Sequence, residues 1–321
     1  MFNKAHAITK LVASCVRVAE AAGNVIKKVT ASADLKIVDK GTGGQADIQT
    51  EADRSAQYCI EKSLQTKFNN KLTIIGEEQN TTAVDDLELG ICPDVLEYDS
   101  KVCEEFQKAN IEDVVIWVDP LDGTSEFAKA VKTMSKDLEQ VTVLIGIAYQ
   151  ERSIAGVIHQ PFYPGHENGR TIWAIAGIGT FGLQVMKPTE NKVVVTTKSH
   201  LTPQVTRALD SLKNAKLVQD VEQVGGAGFK VLRCLEGATA YVFASDGCKK
   251  WDTCAPEAVL KSAHGRLTDI TGRDILYGEH VQHRNTGGVL ATAPRLDHEA
   301  FVDAIPEDIK IQLPEKLISH I

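Results

Sequence analysis

The sequence predicts a two-part fold, α+β in its first half and α/β in its second, from two patterns of apolar residues. In the first half, two stretches with apolar residues at helical spacing precede a series of short apolar strands. In the second half, strand-like and helix-like stretches alternate, which is typical of an α/β layer. We therefore expect two domains, residues 1–165 and residues 166–321, with the boundary somewhere between 160 and 190.

The elements follow from apolar spacing and from the turn residues between them. In the first half the pattern predicts helices at 7–29 and from 50 onward, and strands at 72–75, 114–118, 141–149, 154–160 and 171–176. In the second half it predicts strands at 192–197, 216–218 and 240–244, and helices at 203–212, from 225 onward and after 252. Residues 85–112 are rich in acidic side chains and are predicted to form a solvated, loop-rich excursion.

Composition excludes several classes of protein. The 321 residues carry a net charge of −8, which argues against general affinity for a nucleic-acid polymer. No run of eighteen apolar residues occurs, so a membrane span is not expected. The seven cysteines are scattered and never form Cys-x-x-Cys, which fits neither a disulfide framework nor a zinc ribbon and favours the cytoplasm. The oligomeric state is open, with a monomer slightly favoured.

The strongest chemical signal is the position of acidic residues directly after two apolar strands. Glu77 and Glu78 follow the strand at 72–75, and Asp119 and Asp122 follow the strand at 114–118. Strands that end in carboxylates place them at a rigid edge of a sheet. Magnesium prefers oxygen ligands, so the pattern predicts a magnesium site there.

The turn after the second strand has a distinctive spacing. It reads Asp119-Pro120-Leu121-Asp122-Gly123-Thr124. Pro120 makes the turn stiff, so both aspartates can face one side with the Leu121 carbonyl between them. An Asx-turn with Asp-Gly punctuation is an equally good interpretation of the turn alone. Phosphatases that form a phospho-aspartate carry Asp-x-Asp-Gly-Thr, and here two residues separate the aspartates instead of one.

Two further acids lie where helices are predicted to begin. Asp252 could be the N-cap of a helix with Pro256 in its first turn, and Asp53 could be the reciprocal acid of a capping box that starts at Thr50. Each capping role is reasonable by itself. A single site shared with the strand-end carboxylates explains all of these acids together, and we prefer it.

Three ordered blocks carry a resemblance to a known family. They are Ile75 to Glu78, Trp117 to Thr124, and Trp251 to Pro256. Together they resemble the lithium-sensitive, magnesium-dependent phosphomonoesterases, which include the inositol monophosphatases. The similarity is greatest to the 3′(2′),5′-bisphosphate nucleotidases and covers roughly residues 10–295. It implies a layered αβαβα sandwich like that of inositol monophosphatases and sugar phosphatases, with the site between the two parts.

The resemblance also implies roles for individual residues. One magnesium ion would be held by Glu77, Asp119 and the Leu121 carbonyl, and a second by Asp119, Asp122 and Asp252. A third, water-rich ion would lie beside Glu77. Glu78 would contact the ligands without binding an ion itself. Asp53 and Thr124 match the pair that orients and deprotonates the attacking water, so no protein nucleophile is needed.

The implied reaction is hydrolysis of the 3′-phosphate of 3′-phosphoadenosine 5′-phosphate to AMP and phosphate, with inhibition by lithium. The residues implied to contact this small phosphorylated substrate are Gly123, Thr124, Ser199, His200, Gly226, Lys230 and Lys249. Glycines just before a helix also expose N–H groups that suit a phosphate. An inositol polyphosphate 1-phosphatase, or an enzyme with both activities, is the main alternative. A non-catalytic metal or nucleotide sensor is a more distant one.

The sequence departs from the family pattern in three places. The connection at 128–140 is longer than usual, and Ser125 and Phe127 stand where Lys and Tyr are expected. A Gly-rich patch at 41–45 precedes the loop expected to carry Asp47. The first two departures lie near the expected site and put the substrate preference in question, not the metal ligands.

Overall fold

A computed structural model describes residues 2–32, 34–40, 48–85, 87–133 and 135–314. The Gly-rich patch at 41–45 and Asp47 lie outside the described residues. Within the described part of the chain, no helix combines the length and the apolar character needed to cross a membrane.

Two helices form the outer layer of the first half, as predicted. They are α1 (Ala7–Ser32) and α2 (Glu51–Lys67). The buried face of α1 includes Ile8, Leu11 and Ile26, and Thr50 is the N-cap of α2. Between the helices, two short strands pair antiparallel, β1 (Val38–Asp39) and β2 (Ile48–Gln49).

The first half is built on a six-stranded sheet whose strands follow one another in chain order. Its strands are β3 (Thr73–Gly76), β4 (Val114–Asp122), β5 (Thr142–Tyr149), β6 (Arg152–Gln160), β7 (Arg170–Ile175) and β8 (Gly179–Phe181). Only the β3–β4 pair is parallel, so the ends of these two strands meet at the same edge. The sheet extends to Phe181, and the division into domains at residue 165 stays a prediction.

The acidic excursion is more ordered than expected. It contains the short helices α3 (Pro93–Leu96) and α4 (Glu104–Gln107) and the 3₁₀ turns Asp99–Lys101 and Ile111–Asp113. Val95, Leu96 and Phe106 are buried in the core of the first half. The prediction of a solvated loop was therefore wrong for the part of the segment that packs on the core, because apolar residues between the acids are buried there.

The longer connection at 128–140 is also structured. It consists of the end of α5 (Thr124–Thr133) and a 3₁₀ turn, Lys136–Gln140, which leads into β5. Phe127 is fully buried.

The second half contains a five-stranded sheet in the order β10-β9-β11-β13-β12. Its strands are β9 (Val194–Thr197), β10 (Val221–Val224), β11 (Ala240–Phe243), β12 (Arg266–Thr268) and β13 (Val289–Thr292). The helices are α6 (Pro203–Asn214), α7 (Ala227–Leu235), α8 (Lys250–Ser262), α9 (His298–Ala304) and α10 (Glu307–Gln312).

The helices and sheets stack in five layers, which confirms the αβαβα sandwich. Helices α1 and α2 cover one face of the six-stranded sheet, and α7 and α8 separate that sheet from the five-stranded one. Helices α6 and α9 cover the far side. The contact between α8 and the first sheet is close, since a Cβ added at Gly146 or Gly156 would lie 2.6 Å from the backbone of Ala255.

Three local predictions were wrong. Residues 216–218 form no strand: Lys216 has a φ of 60° and closes a turn after α6, and the strand comes later, as β10. Helix α8 begins at Lys250 with Lys249 as its N-cap, so Asp252 lies in the first turn and is not the cap. For the same reason Pro256 lies inside the helix, past its first turn.

Candidate active site

The predicted site residues converge on one cleft of about 510 Å³. It opens where the ends of β3 and β4 meet the first turns of α5, α7 and α8. The predicted residues that line it are Glu77, Asp119, Leu121, Asp122, Gly123, Thr124, Ser199, His200, Gly226, Lys230, Lys249 and Asp252. Asp53 and Glu78 do not line the cleft but are buried behind its wall.

The turn after β4 combines both interpretations considered for its sequence. The Leu121 N–H donates to Asp119 Oδ1 at 3.0 Å, which closes an Asx-turn. Asp119 is only 2% exposed, and the pairing with β5 is irregular between Asp119 and Asp122. The irregular register directs both aspartates to the cleft.

Asp122 is held by three protein donors. Its Oδ2 accepts hydrogen bonds from Thr142 Oγ1 at 2.7 Å and from the Gly228 N–H at 2.8 Å. Its Oδ1 accepts from the Ala227 N–H at 2.8 Å. The carboxylate thus occupies the N-terminus of α7, where the helix dipole favours negative charge.

Asp53 lies between a helix cap and the cleft. Its Oδ2 accepts from the Thr50 N–H at 2.8 Å, which confirms the capping box. Its Oδ1 lies 2.9 Å from Thr124 Oγ1, and the same hydroxyl lies 3.0 Å from the Leu121 carbonyl oxygen. The capping role and the predicted pairing with Thr124 are therefore compatible, because each uses a different carboxylate oxygen.

Two lysines lie close to the carboxylates at the end of β3 and neutralise part of their charge. Glu77 Oε1 lies 3.7 Å from Lys40 Nζ and 3.8 Å from Lys249 Nζ. Lys40 also donates to both oxygens of Glu78 at 2.9 Å, and Glu78 further contacts Gln49 and Gln57. Glu78 therefore serves to fix the end of β3 next to Glu77.

Burial and mutual repulsion disfavour the charged forms of these acids. Burial and then the charge of Asp252 raise the pKa of Glu77 to about 8, while the two lysines oppose the shift. Burial raises the pKa of Asp53 to about 6, and the pKa of Asp252 is likewise raised to about 6 by burial and by Asp122. The pKa of Asp119 is raised well above its usual value by burial and then by Glu77, Asp122 and Asp252. Such crowding is favourable only when cations compensate it.

The chemistry of the donor set fits magnesium. Every predicted ligand offers an oxygen, four from carboxylates and one from the Leu121 carbonyl, which is what a hard divalent cation prefers. Within the described ranges, however, no three His, Cys, Asp or Glu side chains are grouped as a metal ion would require. The carboxylates are not grouped because protein partners hold them apart. Hydrogen-bond donors hold Asp122, and two lysines attract Glu77.

The glycine turn before α7 differs from the expectation. The Gly225 N–H donates to Gln140 Oε1 at 2.7 Å, and the next N–H groups, those of Ala227 and Gly228, bind Asp122. The N–H groups of Gly225, Ala227 and Gly228 are therefore not available to a phosphate as expected, because Gln140 and Asp122 already accept their hydrogen bonds. Gly226 lines the cleft with a φ of 62°, and a Cβ there would lie 2.9 Å from Asp122 Oδ2.

The remaining predicted substrate residues also line the cleft. Ser199 Oγ contacts His200 Nδ1 at 2.9 Å, and the His200 N–H donates to Thr197 Oγ1. Lys230 donates to the Gly226 carbonyl at 3.0 Å and lies over the Tyr241 ring. These contacts place a cation and an aromatic ring side by side at the cleft.

Several cleft residues were not predicted. The lining also includes Lys40, Glu126, Thr197, Tyr241, Phe243, Cys248 and Arg284. Thr142 and Gln140 support the site through hydrogen bonds to Asp122 and Gly225. The position of Thr142 opposite Asp122 in the β4–β5 pair would have indicated its role, but only after the irregular register was known.

Comparison with known proteins agrees with the fold and with the resemblance. The sequence model of the inositol monophosphatase family matches residues 8–310. The chain is 43% identical over 311 residues to 3′(2′),5′-bisphosphate nucleotidase 1 of Homo sapiens, covering 94% of this chain and 96% of that protein. It is 35% identical to 3′(2′),5′-bisphosphate nucleotidase 1 of Dictyostelium discoideum, covering 94% and 98%.

More distant proteins share the fold. The Golgi-resident adenosine 3′,5′-bisphosphate 3′-phosphatase of Rattus norvegicus is 28% identical, over 94% of this chain and 82% of that protein. The extragenic suppressor protein suhB of Bartonella henselae superposes with a TM-score of 0.63 at 20% identity, covering 92% of this chain and 97% of that chain. The inositol monophosphatase of Anabaena superposes with a TM-score of 0.60 at 18% identity, covering 96% and 98%.

Proposed function

Because the chain belongs to the inositol monophosphatase family, we propose that it hydrolyses the 3′-phosphate of 3′-phosphoadenosine 5′-phosphate to give AMP and phosphate. The reaction requires magnesium and is inhibited by lithium. The similarity to nucleotidases of human and Dictyostelium origin supports the substrate. The observation that carries the proposal is the contact of Thr124 Oγ1 with Asp53 Oδ1 at the edge of the carboxylate-lined cleft.

The residues that would hold two to three magnesium ions are Glu77, Asp119, the Leu121 carbonyl, Asp122 and Asp252. Bound there, magnesium lowers the pKa of water and neutralises phosphate oxygens. Asp122 is held in place for this role by its three donors, which occupy both acceptor sites of Oδ2 and leave one on Oδ1.

Thr124 and Asp53 supply the general base. The Thr124 hydroxyl accepts a proton from the attacking water at Oγ1 and passes its own proton to Asp53 Oδ1, 2.9 Å away. The Thr50 N–H holds Asp53 Oδ2, so the carboxylate keeps Oδ1 directed at Thr124.

The lysines and polar groups that line the cleft next to the carboxylates would bind the nucleotide. Lys230 and Lys249 supply positive charge for the phosphates, and Ser199 and His200 supply hydrogen-bonding groups for the nucleoside. Gly123 and Gly226 line the cleft with φ values of 93° and 62°, which glycine adopts without strain. The cytoplasm is the proposed compartment, supported by seven cysteines that form no disulfide.

Phosphate release from 3′-phosphoadenosine 5′-phosphate tests the proposal. We expect turnover with magnesium, none with a chelator, and a progressive loss on addition of lithium. The Asp119→Asn variant should be inactive, whereas Asp94→Asn, which changes an exposed acid outside the cleft, should behave as the unmodified protein.

Inositol 1,4-bisphosphate serves as the comparison substrate. A higher kcat/KM on this compound than on the nucleotide would contradict the proposed substrate and favour the polyphosphate 1-phosphatase alternative. Binding of magnesium and nucleotide without release of phosphate from either compound would favour a sensor.

A further inference from the structure

A second cavity lies in the five-stranded half of the molecule, outside the carboxylate-lined cleft. Its volume is about 900 Å³, larger than that of the cleft, and its walls are mainly apolar. Cavities of this size commonly hold a drug-sized molecule. None of the residues that line it takes part in the proposed reaction.

The walls come from segments that are held in place by backbone hydrogen bonds. On one side lies the segment 185–192, in which the Met186 N–H donates to the Leu235 carbonyl at 2.7 Å and the Thr189 N–H donates to the Gly237 carbonyl at 2.8 Å. On the other side lie the end of α8 and the loop 294–297. The cavity is thus bounded by anchored backbone on both sides.

The cavity wall contains two hydroxyls without partners. Thr239 Oγ1 and Ser262 Oγ are two of six buried polar side-chain atoms in the described residues that make no hydrogen bond. Thr239 is only 3% exposed. An unsatisfied buried hydroxyl costs free energy, and a ligand oxygen could recover it once the side chain turns about χ1. Both atoms lie in the wall of one cavity, so a single ligand could satisfy both.

The rim of the cavity carries an excess of positive charge. Lys187, Lys192 and Arg295 line it, against Glu190 and Asp297. Among the described residues neither Lys187 nor Arg295 forms an ion pair, while Asp297 accepts from the Ala300 N–H as the N-cap of α9. In a chain with a net charge of −8, such a local surplus favours an anionic ligand.

From these observations we propose that the cavity is a second binding site for a small amphipathic organic anion. Its apolar body would fill the space beside Leu217, Ala263 and Phe301. Its oxygen atoms would accept hydrogen bonds from Thr239 and Ser262, and its negative charge would lie at the rim near Lys187 and Arg295.

A matched pair of fluorescent probes tests the site. The anionic probe is 8-anilinonaphthalene-1-sulfonate, and N-phenyl-1-naphthylamine has the same aromatic body without the charge. We expect saturable 1:1 binding of the anionic probe to the full chain and about tenfold weaker binding of the neutral one. Binding should persist in Asp119→Asn, because the carboxylate-lined cleft is not involved.

Variants locate the probe within the molecule. Ala300→Trp fills the cavity and should weaken binding of the anionic probe at least about tenfold, whereas Asp303→Trp, on the exposed side of the same helix, should not. The double variant Lys187→Gln/Arg295→Gln should weaken binding of the anionic probe and leave binding of the neutral probe unchanged. The control Lys62→Gln/Lys108→Gln removes the same charge from exposed positions outside the cavity and should leave binding unchanged.

A third variant addresses the hydroxyls. Thr239→Val is nearly isosteric and removes the unpaired hydroxyl. It should therefore raise the melting temperature of the unliganded protein and weaken binding of the probe. Melting curves establish that each variant is folded. No saturable binding to the full chain, or equal binding to the full chain and to Ala300→Trp, would overturn the site. Equal affinity for the two probes would overturn the anionic class of ligand. None of these outcomes depends on phosphatase activity.

Discussion

Thr124 Oγ1 lies 2.9 Å from Asp53 Oδ1, although 71 positions separate the two residues in the chain. The contact joins the first turn of α5 to the first turn of α2, so the two helix starts and the edge of the first sheet form one unit. Because the Thr50 N–H and hydroxyl hold the other carboxylate oxygen, Asp53 has little freedom to turn away.

The pair should act as a unit in catalysis. We expect Thr124→Val and Asp53→Asn each to lower kcat by about 10²- to 10⁴-fold, because each removes the general base. The double variant should be no slower than the worse single variant. The measurement is phosphate release from the bisphosphorylated nucleotide at saturating magnesium.

Thr124→Ser provides the matched control, since it keeps the hydroxyl and should retain activity within about tenfold. Rate losses of the two single variants that multiply in the double variant would show that the residues act independently. Melting curves should separate the effect of the lost helix cap in Asp53→Asn, about 1 kcal/mol, from the effect on rate.

Magnesium should stabilise the folded protein. Asp252 raises the pKa of Glu77, and Glu77, Asp122 and Asp252 raise the pKa of Asp119, so the metal-free state stores electrostatic repulsion that a cation relieves. At a magnesium concentration one hundred times its Kd, the stabilisation should be about 2.7 kcal/mol. Calorimetry with magnesium chloride, against sodium chloride at equal ionic strength, measures it.

The Asp119→Asn variant should melt higher than the unmodified protein without metal and gain less from magnesium. Asp94→Asn should show the unmodified response. Identical melting temperatures with and without millimolar magnesium would argue against a shared metal site.

The contribution of Glu77 to the stability of the metal-free protein should be lost as pH rises from about 4.5 to about 8. The pKa of Glu77 is raised to about 8 in the folded state from an ordinary 4.5. A raised pKa in the folded state contributes stability that is complete below the unfolded pKa and is lost as pH rises through the folded pKa. Denaturant titrations in chelator across this range measure the loss.

Two comparisons isolate the cause. Glu77→Gln should flatten the profile, and magnesium should abolish the loss, because it binds the charged form of the carboxylate. A profile that stays equally steep in Glu77→Gln would assign the slope to other groups.

Local sequence rules predicted much of the site, because several of its parts are local. The apolar run before Asp119 is β4, and the Thr50–Asp53 spacing is a real capping box. The layered fold and the predicted ligands around one cleft also agree with the structure.

The errors lie where tertiary contacts decide. Asp122 caps α7 from a strand more than a hundred positions away, and no local pattern reveals that three of its four acceptor sites already bind protein donors. Lys216 adopts a left-handed conformation that ends the apparent strand at 216–218. Lys249 caps α8, which shifts Asp252 into the first turn. In each case a backbone conformation or a distant partner overrode the local pattern.

Acid should destabilise the protein through His298. The ring is buried, with Nε2 2.8 Å from Thr268 Oγ1 and Nδ1 2.9 Å from Thr292 Oγ1. Burial and then Arg266 lower its pKa to about 4 from 6.5. A lowered pKa in the folded state contributes stability that is present above pH 6.5 and lost as pH falls toward 4.

The loss should reach up to about 3 kcal/mol, from the size of the shift. His298→Gln should reduce the slope of stability against pH between 6.5 and 4, and His280→Gln, at an exposed position, should not. A slope unchanged by His298→Gln would mean that other groups cause the acid sensitivity.

The side chain of Asn285 should control how well the first turn of α8 presents Asp252. Its Oδ1 accepts from Lys250 Nζ at 2.6 Å, and its Nδ2 donates to the Lys249 carbonyl at 2.9 Å and lies 3.1 Å from Thr253 Oγ1. Asn285 is 1% exposed and does not line the cleft, so it can act only through the residues it contacts before and within the first turn of α8.

Asn285→Ala should cost about 1–3 kcal/mol of stability, because buried polar groups lose a partner. It should also raise the magnesium concentration needed for half-maximal activity, while KM for the nucleotide at saturating magnesium stays nearly constant. A merely structural role would lower stability without changing the magnesium dependence. Asn191→Ala, at an exposed position, is the matched control and should leave both unchanged.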